Sequence, residues 1–327
     1  MPVSAVNRMA KLLIIALLAA VFFYSVYRIV MKTVDYHNGD RLYAELSNQF
    51  ETELDDELQP THTAVTSDTP VTPVTSSTSI TSITSSAPAT SSTPVTTVTS
   101  VNKVEPAAPS KHDYPIPEHV KAVMAEQSKA AAELEEQKRL EANPFAKSSK
   151  LLKLNRDIVG WVKIPGTHID YPIAQTTNNE FYLTHDFSKR NNSVGSIFMD
   201  YRNKKNFQDR NTILFGHYMK NKSMFYDVTQ FKKQAYFDEH PVIYTYTPKG
   251  VQKWEIFLVY VSNADYNYLI QNFPSERKFQ QYMKEIKRKA VHTRDVKLGQ
   301  DQLLTLSTCS YEFKNARTVV VAKLMND

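Results

Sequence analysis

The chain has 327 residues, with 39 Lys and Arg against 34 Asp and Glu, and one cysteine. The net charge of +5 is spread thinly, with no basic block of the kind that marks a nucleic-acid footprint, so DNA and RNA are excluded as partners. A single cysteine makes neither an intrachain disulfide nor a cysteine-rich zinc site, which leaves packing or reactivity as the use of Cys309.

In chain order, Arg8 and Lys11 precede an apolar run, Leu12 to Met31, of about the 20 residues needed to cross a bilayer. Its internal charge, Arg28, lies close enough to the far end to snorkel toward the interface. A cleavable signal peptide would need a small-x-small site after the run, and Tyr27-Arg28-Ile29-Val30-Met31 offers none. The expectation is a single-pass anchor at 12–31 in the cell membrane, with residues 1–11 cytoplasmic, a juxtamembrane segment at 32–59 and the remainder extracellular. Residues 60–113 form a Ser/Thr/Pro/Val tract with approximate TPVT and TSIT repeats and too few large apolar side chains to offset the entropy of ordering. It reads as a disordered stalk, about 40 Å in root-mean-square length for roughly 50 flexible residues, holding a folded part away from the bilayer.

Residues 114–150 read as a helical segment: an Ala/Glu/Lys-rich helix opens at Pro117 and stops before Asn143-Pro144, and a shorter helix follows near Ser148. From 151 to 327 the pattern changes to short β-branched and aromatic runs, among them GSIFMD, NTILFGH, KWEIFLVYVS, DQLLTLSTC and RTVVVAKL. One strong helix interrupts them, capped by Ser275 and carrying a stripe of Phe279, Tyr282, Met283 and Ile286 that reads as core packing. The architecture implied is an antiparallel barrel or sandwich of seven or eight strands with helices attached.

Alternation along the strand that ends at Cys309 sets Leu304, Leu306 and Thr308 on one face and Leu303, Thr305, Ser307 and Cys309 on the other, more polar one. A free cysteine is usually a small buried hydrophobe, but a strand end beside hydroxyl residues also suits a nucleophile. A nucleophilic cysteine needs a base or cation nearby and a donor for the oxyanion. A hairpin through SYEFKNA would return Arg317 beside Cys309; in isolation an arginine there is an ordinary surface ion-pair former. Among the histidines, His37, His62, His112 and His119 lie outside the apparent domain, and His168 and His185 sit in turn-like segments. His217 ends an apolar strand, where Gly216 is expected to let the chain turn.

TLSTC followed eight residues later by Arg317, with a Gly-His strand end about ninety residues upstream, resembles the sortases, membrane-anchored cysteine transpeptidases of Gram-positive bacteria. The stretches NRDIVGWVKIPGTHIDYPIAQTTNNEFYLTHDF, GSIFMD and GHYMKNKSMFYDV, and the helix inserted before TLSTC, are similar to class B in particular, over Leu151 to Leu324. The resemblance implies an eight-stranded β-barrel with N-terminal helices, Cys309 as nucleophile, His217 as acid/base and Arg317 as oxyanion donor. It implies cleavage of a C-terminal sorting signal after Thr through a thioester, then transfer to an amine of a cell-wall precursor or of a pilin lysine. Asn179, Leu183, Tyr268, Leu269 and Ser307 are the implied substrate contacts, with no metal and no other cofactor. Tyr218 departs from the pattern, since many class B sequences carry asparagine after the histidine.

Two rival readings have distinct signatures. An L,D-type wall transpeptidase would carry its own His-and-Cys signature around Cys309, which is absent. A stalked, membrane-tethered β-domain that binds surface ligands would hold Cys309 inert and buried.

Overall fold

The computed structural model describes residues 3–58, 118–142, 145, 149–265 and 268–325. The Ser/Thr/Pro tract at 60–113 lies outside the described residues. Met1–Pro60 and Ala132–Asp327 make one compact unit, and Thr61–Ala131 a second, which holds the N-terminal part of helix α2 (Glu118–Glu141).

Nine strands are described: β1 (Ile158–Lys163), β2 (Asp170–Ala174), β3 (Ile197–Met199), β4 (Asn211–Phe215), β5 (Val242–Thr247), β6 (Gly250–Asn263), β7 (Ala290–Thr293), β8 (Leu303–Cys309) and β9 (Ala316–Leu324). Eight close a ring in the order β1-β2-β3-β4-β8-β9-β6-β5, and β7 adds to β6 outside it. Closure is possible because the 14-residue β6 pairs with β5 through its first half and with β9 through its second. The wholly antiparallel arrangement expected from the strand runs is corrected at two places. β2 pairs with β3 in parallel, and so does β4 with β8. Parallel neighbours need a crossover of a dozen or more residues, and long connections separate both pairs.

The barrel interior is filled by residues such as Leu214, Ile256, Leu304, Leu306 and Val320. A second core lies on the outer face of β6, β8 and β9, where Leu303, Val319 and Val321 meet Phe279, Tyr282, Met283 and Ile286 of α5 (Glu276–Arg288). Ser275 caps α5, its hydroxyl accepting from the Lys278 amide. The polar face of β8 is therefore covered, and only its last residue, Cys309, is half-exposed.

Of the remaining helices, α2 spans Glu118–Glu141, α3 Ser149–Leu154 and α4 Gln234–Glu239. Helix α1 runs unbroken from Val3 to Leu58. Among the described residues it is the helix long and apolar enough to cross a membrane, and the side chains of its apolar stretch are exposed. Beyond that stretch, Gly39, Tyr43, Leu46, Phe50 and Leu54 recur at helical spacing and are buried against the barrel. Phe50 stacks on Trp161 with ring centroids 4.2 Å apart. Ser47 donates to Asp170 at 2.8 Å, Asn221 donates to Asp40 at 2.8 Å, and Glu51 pairs with Lys163. Residues 39–54, within the segment 32–59 expected to be juxtamembrane, thus pack on the barrel. The helix meets the barrel before the tract at 60–113 begins.

Candidate active site

The β8–β9 hairpin sets Cys309 directly across from Arg317. Its turn is fixed at both ends: the Ser310 amide donates to Ala316 O at 2.9 Å, and the Ala264 amide donates to Asn315 O at 2.8 Å. Asn315 adopts φ 61°, a left-handed conformation that asparagine tolerates. On the other side, β4 runs parallel to β8 with Phe215 level with Ser307, so the same register carried two residues further brings His217 level with Cys309. Gly216 serves space rather than a turn. A Cβ there would lie 2.4 Å from Ile197 Cδ1 and 2.7 Å from the Phe225 ring.

The candidate catalytic and substrate-contact residues all line one cavity of about 410 Å³: His217, Cys309 and Arg317, with Asn179, Leu183, Tyr268, Leu269 and Ser307. The first three are half-buried. His217 Nε2 lies 2.7 Å from the carbonyl oxygen of Leu183, in the 3₁₀ turn Phe181–Leu183. A carbonyl only accepts, so this contact assigns the ring hydrogen to Nε2. Arg317 donates to the adjoining Ala316 carbonyl at 3.0 Å, and among the described residues no carboxylate stands within ion-pair distance of its guanidinium. That is unlike a surface ion-pair arginine.

The remaining contacts hold the cavity's shape. The Tyr268 hydroxyl lies 3.1 Å from Ser307 Oγ, joining the connection after β6 to the cysteine strand. Burial pushes the Tyr268 phenol up, against the pull of the Ser307 hydrogen bond and the Arg317 charge, so it stays protonated at neutral pH. Asn179 accepts the Tyr201 amide at 2.9 Å. Tyr218 takes no part in a hydrogen bond to His217; its ring packs on Tyr226 and Tyr311, each with centroids 5.3 Å away.

Arg202 also lines the cavity and was missed in the sequence. Two hydrogen bonds at 2.9 and 2.7 Å clamp its guanidinium to the buried Asp200, which raises the arginine's pKa further. The signal was present in the run GSIFMDYRN, where the arginine follows the quoted motif by two residues. Among the described residues, no group of three His, Cys, Asp or Glu side chains is set to hold a metal ion.

Comparison with known proteins bears on the family and the fold. Residues 162–325 match the family model described as the sortase domain. Sortase B of Listeria monocytogenes is 40% identical over 178 residues, 54% of this chain and 72% of that protein. Sortase B of Staphylococcus aureus is 38% identical over 178 residues, 54% of this chain and 73% of that protein. The crystal structure of Clostridium perfringens sortase B superposes with a TM-score of 0.53 at 37% identity, over 55% of this chain and all of that one. A Staphylococcus aureus sortase B–substrate complex gives 0.53 at 34% identity, over 64% of this chain and 98% of that one. The chain belongs to the sortase family and is a class B cysteine transpeptidase.

Proposed function

We propose that Cys309, His217 and Arg317 carry the transpeptidation, and that the cavity beside them receives a C-terminal sorting signal. The observation that supports this most is the meeting of the three side chains at the ends of β4, β8 and β9 in one half-buried cleft.

In this reading the Cys309 thiolate attacks the carbonyl carbon of the signal's threonine, and the new C–S bond pushes charge onto the oxygen, where Arg317 stabilises it. Arg317 is suited to that task because it stays charged throughout the working range and has no competing carboxylate. Collapse breaks the C–N bond, and His217 gives the departing amine its proton. With Nε2 committed to Leu183 O, Nδ1 is the nitrogen that exchanges that proton. An acceptor amine then attacks the thioester, passes a proton back to His217 and leaves the thiolate restored. Asn179, Leu183, Tyr268, Leu269 and Ser307 are the substrate contacts. The acceptor is an amine of a cell-wall precursor. The apolar part of α1 crosses the membrane once, with the N-terminus cytoplasmic and the barrel outside.

The test uses the full chain in detergent micelles with peptides of the LPxTG, NPxTN and PPxTG types and, as acceptors, a wall-type glycyl or diaminopimelyl amine and a pilin-type lysine peptide. The expected result is Cys309-dependent cleavage after Thr of one peptide class, with product carrying the wall-type amine. Product formed only with the lysine peptide would replace the wall reading by pilin polymerisation. A wild-type chain that cleaves none of the peptides, and whose Cys309 iodoacetamide cannot label, would remove the catalytic assignment.

A further inference from the structure

We propose that Tyr43 of α1 is a positioning residue for His217 and acts on it through Gly195. This rests on the reading of His217 as the acid/base.

Tyr43 is buried, its ring edge-on to Tyr171 with centroids 5.5 Å apart. Packing alone would be served by phenylalanine, yet the hydroxyl is engaged three times. It donates to Gly195 O at 2.6 Å, accepts the Phe187 amide at 3.2 Å and lies 3.0 Å from Ser196 Oγ. One side chain from α1 therefore ties both ends of the 187–195 segment. Burial pushes the phenol well above its ordinary pKa, so it remains neutral and keeps its single hydrogen for Gly195.

Gly195 is the point at which this segment touches the imidazole. It adopts φ +65°, and a Cβ on it would lie 2.6 Å from Tyr182 O, 3.0 Å from His217 Cδ2 and 3.1 Å from Leu183 O. Gly195 thus backs the Cδ2 edge of the ring, while Leu183 O, beside the same glycine, holds Nε2 at 2.7 Å. Nδ1, on the opposite edge from Cδ2, is left as the working nitrogen. Two supports orient His217, and Tyr43 anchors the one at Gly195. Removing its hydroxyl leaves a buried carbonyl and a buried amide without their partner, and the segment relaxes away from the ring.

Ser47 supplies the control, because it also joins α1 to the barrel, donating to Asp170 at 2.8 Å, while its hydrogen bond reaches neither Gly195 nor His217. The experiment compares Tyr43→Phe, Ser47→Ala and wild type as full chains in detergent micelles. One readout is kcat and KM on the peptide that the wild type cleaves. The other is the His217 Cδ2–H signal in imidazole-labelled protein, assigned with His217→Gln.

The expected result for Tyr43→Phe is a kcat lower by about tenfold with KM within about twofold, the effect of a displaced catalytic group. Its His217 signal moves as well, and Ser47→Ala matches wild type in both readouts. Tyr43→Phe behaving as wild type, or both variants changing alike, would overturn the proposal. If the wild type cleaves nothing, the catalytic reading fails, and the imidazole signal still decides whether Tyr43 holds the ring.

Discussion

Cys309, His217 and Arg317 were candidates through the family resemblance of short motifs at strand ends, and the register of β4, β8 and β9 brings them together. What surrounds them was not legible in the same way. The Leu183 position was expected as a substrate contact, whereas its backbone carbonyl also orients the imidazole, and a backbone role leaves no trace in side-chain type. Gly195 likewise has no flanking signature. Another polar residue without a motif is Asp209, buried between the start of β4 and the segment before α5. It accepts from Asn203 at 2.9 Å, from the Lys204 amide at 2.6 Å and from Asn272 at 3.0 Å. Burial pushes its carboxyl up, but these hydrogen bonds outweigh burial and leave the pKa below the ordinary value. A depressed folded-state pKa contributes stability that is present above the unfolded value, near 3.9, and is lost as pH falls through the folded value. Asp209→Asn is therefore expected to cost about 1–3 kcal/mol at pH 7 and to flatten the loss of stability below about pH 4. Urea unfolding of both proteins at pH 7 and pH 3.5 checks this; a wild type whose advantage persists undiminished at pH 3.5 contradicts it.

At the scale of elements, the strands were legible from their β-branched runs and α5 from its stripe and serine cap. Closure was not, because nothing in the composition of β6 says that its two halves serve different partners. The docked half of α1 escaped for another reason. Tyr43, Leu46, Phe50 and Leu54 carry helical spacing as clear as that of α5, but they follow an apolar run long enough to span a bilayer and precede a low-complexity tract, which together invite a linker reading. Phe50 is fully buried among Trp161, Tyr246 and Phe145. Phe50→Ala should cost about 3–5 kcal/mol, in the range for deleting a buried aromatic ring. Chemical denaturation of the full chain measures it. A cost below about 1 kcal/mol would mean that α1 does not pack on the barrel in solution.

For the whole molecule, on the proposal that the apolar part of α1 crosses the membrane, the unbroken course of that helix sets the distance between barrel and membrane. Gly39, the first buried residue among those described, follows the end of the apolar run at Met31 by eight positions, about 12 Å of helix. The tract at 60–113 follows that contact in the chain, and the unit that contains the barrel resumes at Ala132. Doubling the tract with its own sequence is expected to leave the distance unchanged, as read by energy transfer from a dye on Lys249 to labelled headgroups in nanodiscs. A stalk would lengthen from about 40 Å to about 57 Å root-mean-square and lower that transfer.

The central claim is that Cys309 becomes acylated by a sorting signal. Intact-mass spectrometry of the full chain, quenched in acid within its first turnovers on the cleaved peptide, tests it most directly. The expected result is an adduct of the peptide up to its threonine, mapped to Cys309, reversed by hydroxylamine, absent in Cys309→Ala and formed about 10²–10³ times more slowly in Arg317→Ala. Cleavage without any adduct on Cys309, or an adduct that survives in Cys309→Ala, would contradict the account.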